Sequence, residues 1–243
     1  MTIGIVWPFI ISPIIGLLIG SFPTAYIVSK AVAGIDPRNF GSGSVSTRNT
    51  IRAAGLFPWG ALTFSVDVVK GALAAAIVEY LIAPLAGKLW IIEYCVIICA
   101  FAAVAGHCWM PYLKFKGGKG LGTFLGLFFF IYWPTTFFWI IIMFTLIKVS
   151  GFSGIGSCWA AVFISPFWYL IDLISSTLHL TNLPIAFWPH AYFADGQLGW
   201  QFTLLYALGM WLILTLRHVP EFKRIKRGEA QAWQSLKTSE MLK

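Results

Sequence analysis

The 243-residue chain is 58% hydrophobic and only 11% charged, with a formal net charge of +8 and a mean hydropathy of +0.80. Soluble domains carry about 25% charged residues, so a soluble globular protein is excluded and an all-α integral membrane protein is expected. The length accommodates roughly six to eight spans of about 20 residues with short connections. That leaves no room for a separate soluble domain, so one polytopic domain over 1–243, closed by a basic tail at 219–243, is the expected organisation.

In chain order, the first apolar segment opens with "MTIGIVWPFIISPIIGLLIG". It lacks the positive n-region of a secretory signal and runs directly into further apolar sequence, so it reads as a retained span. Hydropathy with bounding charge, Pro or Gly predicts spans at 3–32, 57–83, 89–106, 119–133, 135–149, 155–174 and 200–218. About seven is the expected count. The fourth and fifth are short and meet at "IYWPTT", so a bent pair that does not fully cross is the alternative there. Cys95, Cys99, Cys108 and Cys158 lie in or beside apolar stretches without CxxC or Cys/His spacing; they read as small packing residues, not as metal or redox groups.

Basic residues set the expected orientation. All but two of the seventeen lysines and arginines fall in four segments: Lys30 to Arg52, Lys114 to Lys119, Lys148, and the tail from Arg217. Lys88 lies in the opposite loops and Lys70 inside a span. With seven spans the four basic segments share one face, which the positive-inside rule places in the cytoplasm, with the N-terminus outside. The loop at about 173–199 is aromatic and nearly uncharged, as expected of an interfacial segment. Most of the tail's lysines and arginines read as an anchor on anionic lipid.

Three polar clusters share the basic face. In "NFGSGSVSTRNTIRAAG" (39–55), Gly41, Ser42, Gly43, Ser44, Ser46, Thr47, Asn49 and Arg52 supply backbone N–H groups, hydroxyls and a fixed cation, the elements of a phosphate cradle; a flexible connector is the plain alternative. The second cluster, "GHCWMPYLKFKGGKGLGTFLG", runs from Gly106 and His107 through Lys114, Lys116, Gly117, Gly118, Lys119 and Gly120 into the next span. "GGKG" at a helix start brings N–H groups and a lysine together. It is no Walker A motif, since no hydroxyl follows the lysine, and ATP hydrolysis is disfavoured. The third cluster is Arg217-His218 at the inner end of the last span, where His218 is either a helix-end cap or a site residue. Within the second span, Asp67 and Lys70 share a helical face; isolated charges there are costly, so they form a supporting pair or line the site. His107 leaves the same choice open.

Taken together, "GSFPTAYIVSK", "GSGSVSTRNTIRAAG", "SVDVVKGALAA", "GHCWMPYLKFKGGKGLGTFLG", "KVSGFS" and "LRHVPEFKRIKRG" resemble, in order and spacing, the PlsY-type glycerol-3-phosphate acyltransferases of bacteria. The resemblance implies a seven-helix enzyme of the bacterial plasma (inner) membrane that moves a fatty acyl group from acyl phosphate to the 1-hydroxyl of glycerol 3-phosphate. Lysophosphatidic acid and phosphate would be the products. It implies no metal and no cofactor, membrane lipid as surroundings and no nucleic-acid partner. The HxxxxD pair of other acyltransferases is absent: His107, His179, His190 and His218 are followed four residues on by Pro111, Leu183, Ala194 and Phe222.

By this resemblance Ser42, Arg52, Lys119 and His218 carry catalysis. Gly41, Gly43, Asn49, His107, Lys116, Gly117, Gly118, Ser150 and Ser153 bind substrate. The proton acceptor is a phosphate oxygen of the donor or His218. Departures from the family pattern are Ser44, Ser46, Thr47 and Arg48 in the first loop and Glu221 in the tail. Ser46 in place of glycine is expected to restrict the backbone, Arg48 adds a bulky cation, and Glu221 repels phosphate unless Arg48 or another cation pairs with it. A catalytically impaired relative that binds phosphorylated lipid precursors is the first alternative, and a small transporter of anionic solutes the second.

Overall fold

The computed structural model describes residues 3–86, 89–163 and 199–229. Among them every regular element is helical: α1 Ile3–Gly20, α2 Thr24–Ala33, α3 Thr47–Ala54, α4 Ala61–Ile77, α5 Leu89–Cys108, α6 Leu121–Ser150, α7 Ser153–Val162 and α8 Gly199–Lys226. Short helical turns at Leu56–Gly60, Val78–Ile82 and Ala83–Ala86 lead into and out of α4. Three stretches, Val6–Ala33, Leu56–Leu85 and Ile91–Leu113, are long and apolar enough to cross a bilayer. Apolar side chains such as Val69, Leu73, Phe129, Ile141, Leu208 and Leu212 are exposed on the outside of the bundle, as lipid contact requires.

Small residues bring the helices together. α1 packs most extensively on α5, and α4 on α6. A Cβ on Gly20 would run into the carbonyl of Ala103, and one on Gly71 into that of Thr123, so backbones touch where the lipid tails offer no hydrophobic drive of their own. All four cysteines are free and buried; Cys95, Cys99 and Cys108 belong to the main core with Phe124, Phe128, Trp139 and Leu214. That is the packing position expected of them.

The predicted spans need three adjustments. The first, 3–32, is two helices broken at Ser21–Pro23. At the break the Phe22 carbonyl accepts the Thr24 N–H at 3.0 Å, and Lys70 of α4 donates its ammonium to the same oxygen at 3.0 Å while pairing with Asp67 at 2.8 Å. The lysine inside the predicted second span is therefore a second donor at a broken helix end, for which no local pattern is a signal. The fourth and fifth spans carry one unbroken helical assignment, but the chain folds back on itself. Along a straight helix Phe124 and Trp139 would lie about 22 Å apart, yet their ring centroids are 5.2 Å apart. The fourth and fifth predicted spans are thus the two arms of one bent element.

The last helix runs on to Lys226, past the predicted end at 218 and through Pro220, so the start of the tail is helical. Of the predicted sixth span only 155–163 is described; the aromatic loop at 173–199 apart from Gly199, Lys88, and tail residues 230–243 lie outside the described residues.

Contacts set the direction of each helix. Gly16 and Gly20 of α1 meet Cys99 and Ala103 of α5 in register, and Phe101 of α5 stacks on Tyr206 of α8. α1 and α5 run parallel and end together, and α8 runs the same way, its Leu214 meeting Gly120 beside Cys108, and continues past the end of α5. The loops after α1, after α5, between α6 and α7, and the end of α8 therefore meet at one end of the bundle, and the start of α1 lies at the other.

Candidate active site

The first polar cluster folds as a loop followed by a helix. Gly41 and Gly43 take φ of +56° and +69°, a left-handed backbone that disfavours other residues. Asn49 holds the turn from within. Fully buried, its amide nitrogen donates to the carbonyls of Pro37, Phe40 and Ser44 at 2.8, 2.9 and 3.1 Å, and its oxygen accepts from the Ser42 N–H at 3.4 Å. Residues 47–54, expected as loop, form α3, on which Arg48 and Arg52 are one turn apart and share a face. Ser46, standing where the family has glycine, has φ of −143°. This is extended backbone open to any residue, so the expected restriction does not arise.

The second cluster is clamped between the first loop and α8. The Gly117 carbonyl accepts from the Val45 N–H at 3.2 Å and from the Ser44 hydroxyl at 3.4 Å. Arg217 forks onto the same loop, its Nε donating to Gly118 O and its Nη2 to Gly117 O, both at 2.6 Å. Gly118 also donates its N–H to the His107 carbonyl at 3.0 Å, and a Cβ there would strike the His107 ring and lie 2.6 Å from Val45 O. His107 is buried, with Nδ1 3.7 Å from Asp67 Oδ1. The Asp67, Lys70 and His107 group is thus a polar support directly beneath the glycine loop.

These segments enclose a cleft of about 510 Å³ lined by Gly41, Ser42, Gly43, Ser44, Arg48, Arg52, Lys119, Arg217, Pro220, Glu221, Arg224 and Glu229. Of the residues read from sequence, Gly41, Ser42, Gly43, Arg52 and Lys119 meet around it. Asn49, His107, Gly117 and Gly118 do not line it but build its walls. Lys116 is exposed and absent from the lining. The Ser150 hydroxyl donates to Leu146 O at 2.6 Å and closes the end of α6. Ser153 opens α7; its side chain lies outside the described residues.

His218 sits one layer behind the cleft. It is fully buried, stacks on Phe222, and has Nδ1 2.8 Å from Leu214 O. With Nδ1 donating to that carbonyl, Nε2 carries the lone pair, and among the described residues it finds no hydrogen-bond partner. Helix phase explains the separation. Arg217, Pro220, Glu221 and Arg224 follow an i, i+3, i+4, i+7 stripe that faces the cleft, whereas Leu214, His218 and Phe222 form the adjacent stripe that faces the core. Arg217, read as a cluster member, Glu221, read as a departure that repels phosphate, and Arg224, read as part of the lipid anchor, are thereby lining residues, and the stripe spacing was the signal that groups them.

Electrostatically the cleft is a cationic basin with one prominent carboxylate. Glu221 pairs with Lys119 and accepts the Gly154 N–H at 3.3 Å from the first turn of α7. Burial pushes its carboxyl up, but the Lys119 charge and hydrogen bond, His218 and the Gly154 N–H outweigh it and hold it below the usual carboxylate value. Burial lowers Arg48, as does neighbouring Arg52, while Glu221 opposes the shift. Lys119 thus pairs with Glu221, and Arg48 interacts with it electrostatically as well. Among the described residues no cluster of three or more His, Cys, Asp or Glu could hold a metal.

The protein is thus a polytopic helical membrane protein with a glycine- and hydroxyl-edged cationic cleft at one end of its bundle, a surface whose chemistry suits anionic groups. The family model described as glycerol-3-phosphate acyltransferase matches residues 10–228, and the chain belongs to that family. It is 34% identical over 186 residues to a glycerol-3-phosphate acyltransferase of Thermosipho melanesiensis, covering 72% of this chain and 87% of the relative. It is also 34% identical over 160 residues to glycerol-3-phosphate acyltransferase 2 of Moorella thermoacetica, covering 65% and 76%. The fold matches the crystal structure of PlsY, an integral membrane glycerol 3-phosphate acyltransferase, in its glycerol 3-phosphate form. The TM-score is 0.70 at 23% identity over 95% of this chain and 98% of that one.

Proposed function

We propose that this protein transfers a fatty acyl group from acyl phosphate to the 1-hydroxyl of glycerol 3-phosphate, releasing lysophosphatidic acid and phosphate. The observation that carries the reading is the convergence of Ser42, Arg52 and Lys119, from segments far apart in the chain, on one cleft in a member of this family. An acyl phosphate is already activated, so the protein's work is to align hydroxyl and carbonyl and to neutralise phosphate and oxyanion charge. Arg52 and Lys119 clamp phosphate oxygens, and the Ser42 hydroxyl on the rim of the cleft orients the acceptor.

The attacking hydroxyl forms its ester bond to the acyl carbon as the bond from that carbon to the phosphate oxygen breaks, and its proton leaves with the departing phosphate. The burial of His218 behind the cleft favours this substrate-assisted route over a histidine base. The basic loops gathered at the cleft end support a cytoplasmic placement of the site in the inner membrane of a bacterium, with the N-terminus outside. Purified protein given palmitoyl phosphate and glycerol 3-phosphate is expected to form lysophosphatidic acid, and Lys119→Ala or Arg52→Ala to abolish it. Undiminished turnover in either variant defeats that residue's assignment, and no product from the folded wild type defeats the activity.

A further inference from the structure

The carboxylate of Glu221 stands where an anionic ligand would bind. Its two oxygens take an ammonium, that of Lys119, and a backbone N–H, that of Gly154 in the first turn of the ten-residue α7. Both are donors of the kind that receive phosphate oxygens. The arrangement is not sealed: the two side chains keep 26% and 20% of their surface, and both line the cleft. A soluble anion can therefore reach Lys119, but only by sharing it with Glu221 or displacing it.

We propose that Glu221 is an internal anion that occupies the phosphate position on Lys119 in the empty cleft and is displaced by the substrate's phosphate, so that this side chain sets phosphate affinity. The proposal rests on reading Lys119 as a phosphate clamp. Displacement strands no charge, because Arg48 lines the same cleft and already acts electrostatically on Glu221. The carboxylate is left facing Arg48 while phosphate takes the ammonium. An ordinary anion site gains affinity from each cation in full; here part of the Lys119 attraction is already satisfied before ligand arrives, and binding is weakened accordingly.

The test measures equilibrium binding of inorganic phosphate and of glycerol 3-phosphate, by calorimetry on the full chain in detergent, so that it reads the cleft without turnover. Glu221→Gln keeps the shape of the side chain but removes its charge, and is expected to tighten both ligands by about tenfold, about 1.4 kcal/mol. In a Lys119→Met background the same change is expected to gain less than about threefold. Glu229→Gln, which removes a second carboxylate lining the cleft, is expected to gain less than about threefold. Weaker or unchanged binding in Glu221→Gln overturns the proposal, as does a full gain without Lys119 or an equal gain from Glu229→Gln. Glu221→Asn serves if the glutamine variant does not fold. Absence of binding in both wild type and Glu221→Gln also overturns it. Lack of acyl transfer by a wild type that shows the expected exchange defeats the proposed activity and leaves the role of Glu221 standing.

Discussion

The fork of Arg217 onto the carbonyls of Gly117 and Gly118 offers a sharp perturbation, because the next residue is Lys119. Each bond is 2.6 Å long, and hydrogen bonds from a charged group contribute about 1.5–3 kcal/mol each. The guanidinium is half-buried, so the lower end applies: about 1.5 kcal/mol per bond, or about 3 kcal/mol for the fork. Arg217→Lys keeps the charge but, as a single flexible ammonium, reproduces the planar fork poorly; Arg217→Met loses charge and both bonds. For a chain of this size about 1 kcal/mol corresponds to about 2–4 °C in the unfolding midpoint. The lysine variant is expected to fall by about 3–6 °C and the methionine variant by about 6–12 °C in detergent. The freed loop carries Lys119, so KM for glycerol 3-phosphate in the acyl phosphate assay is expected to rise about tenfold in Arg217→Lys. Exposed Lys116→Met is the control, with the midpoint unchanged. An Arg217→Lys variant with wild-type midpoint and wild-type KM refutes the fork as the loop's anchor. A raised KM with an unchanged midpoint in both Arg217 variants makes Arg217 a ligand contact instead.

Two other outcomes follow from buried polar groups. Asn49→Ala takes the amide donor from the carbonyls of Pro37, Phe40 and Ser44, of which Phe40 keeps the Gly43 N–H, and is expected to cost about 1–3 kcal/mol. Asn49→Asp is expected to cost more, because a carboxylate has no N–H to give and faces three carbonyl oxygens; equal midpoints for the two variants would show that the amide is not the staple. In α4, removing one partner of a buried ion pair costs about 3–5 kcal/mol. Lys70→Met is expected to unfold earlier than Asp67→Asn because it leaves the Asp67 carboxylate buried without its cation and takes one of two donors from the Phe22 carbonyl, and the double variant Asp67→Asn with Lys70→Met is expected to lose no more than Lys70→Met alone. Additive losses in the double variant would contradict the coupling.

Hydropathy, charge bias and short motifs are properties of neighbouring residues, and what they report was legible in the chain alone: a polytopic helical membrane protein, three polar clusters sharing one end, a bend between the fourth and fifth spans, and the acyltransferase family. Features that depend on which way a helix is turned, or on residues far apart in the chain, were not. Arg217 and His218 are adjacent in one motif, yet successive helical residues differ by about 100°, so packing against the core sends one into the cleft and hides the other. Asn49 reads as a ligand group until its amide is found among the loop's own carbonyls. Lys70 reads as a stray charge until the break at Ser21–Pro23 places the Phe22 carbonyl beside it. Glu221 reads as a repulsive departure until Lys119, 102 residues away, is found holding it. By itself the sequence determined the class, the family and the inventory of polar groups, because these follow from local composition and order. Only the tertiary structure decided which of those groups face the cleft, which support its walls and which cation answers Glu221, because rotation, packing and long-range contact settle such choices.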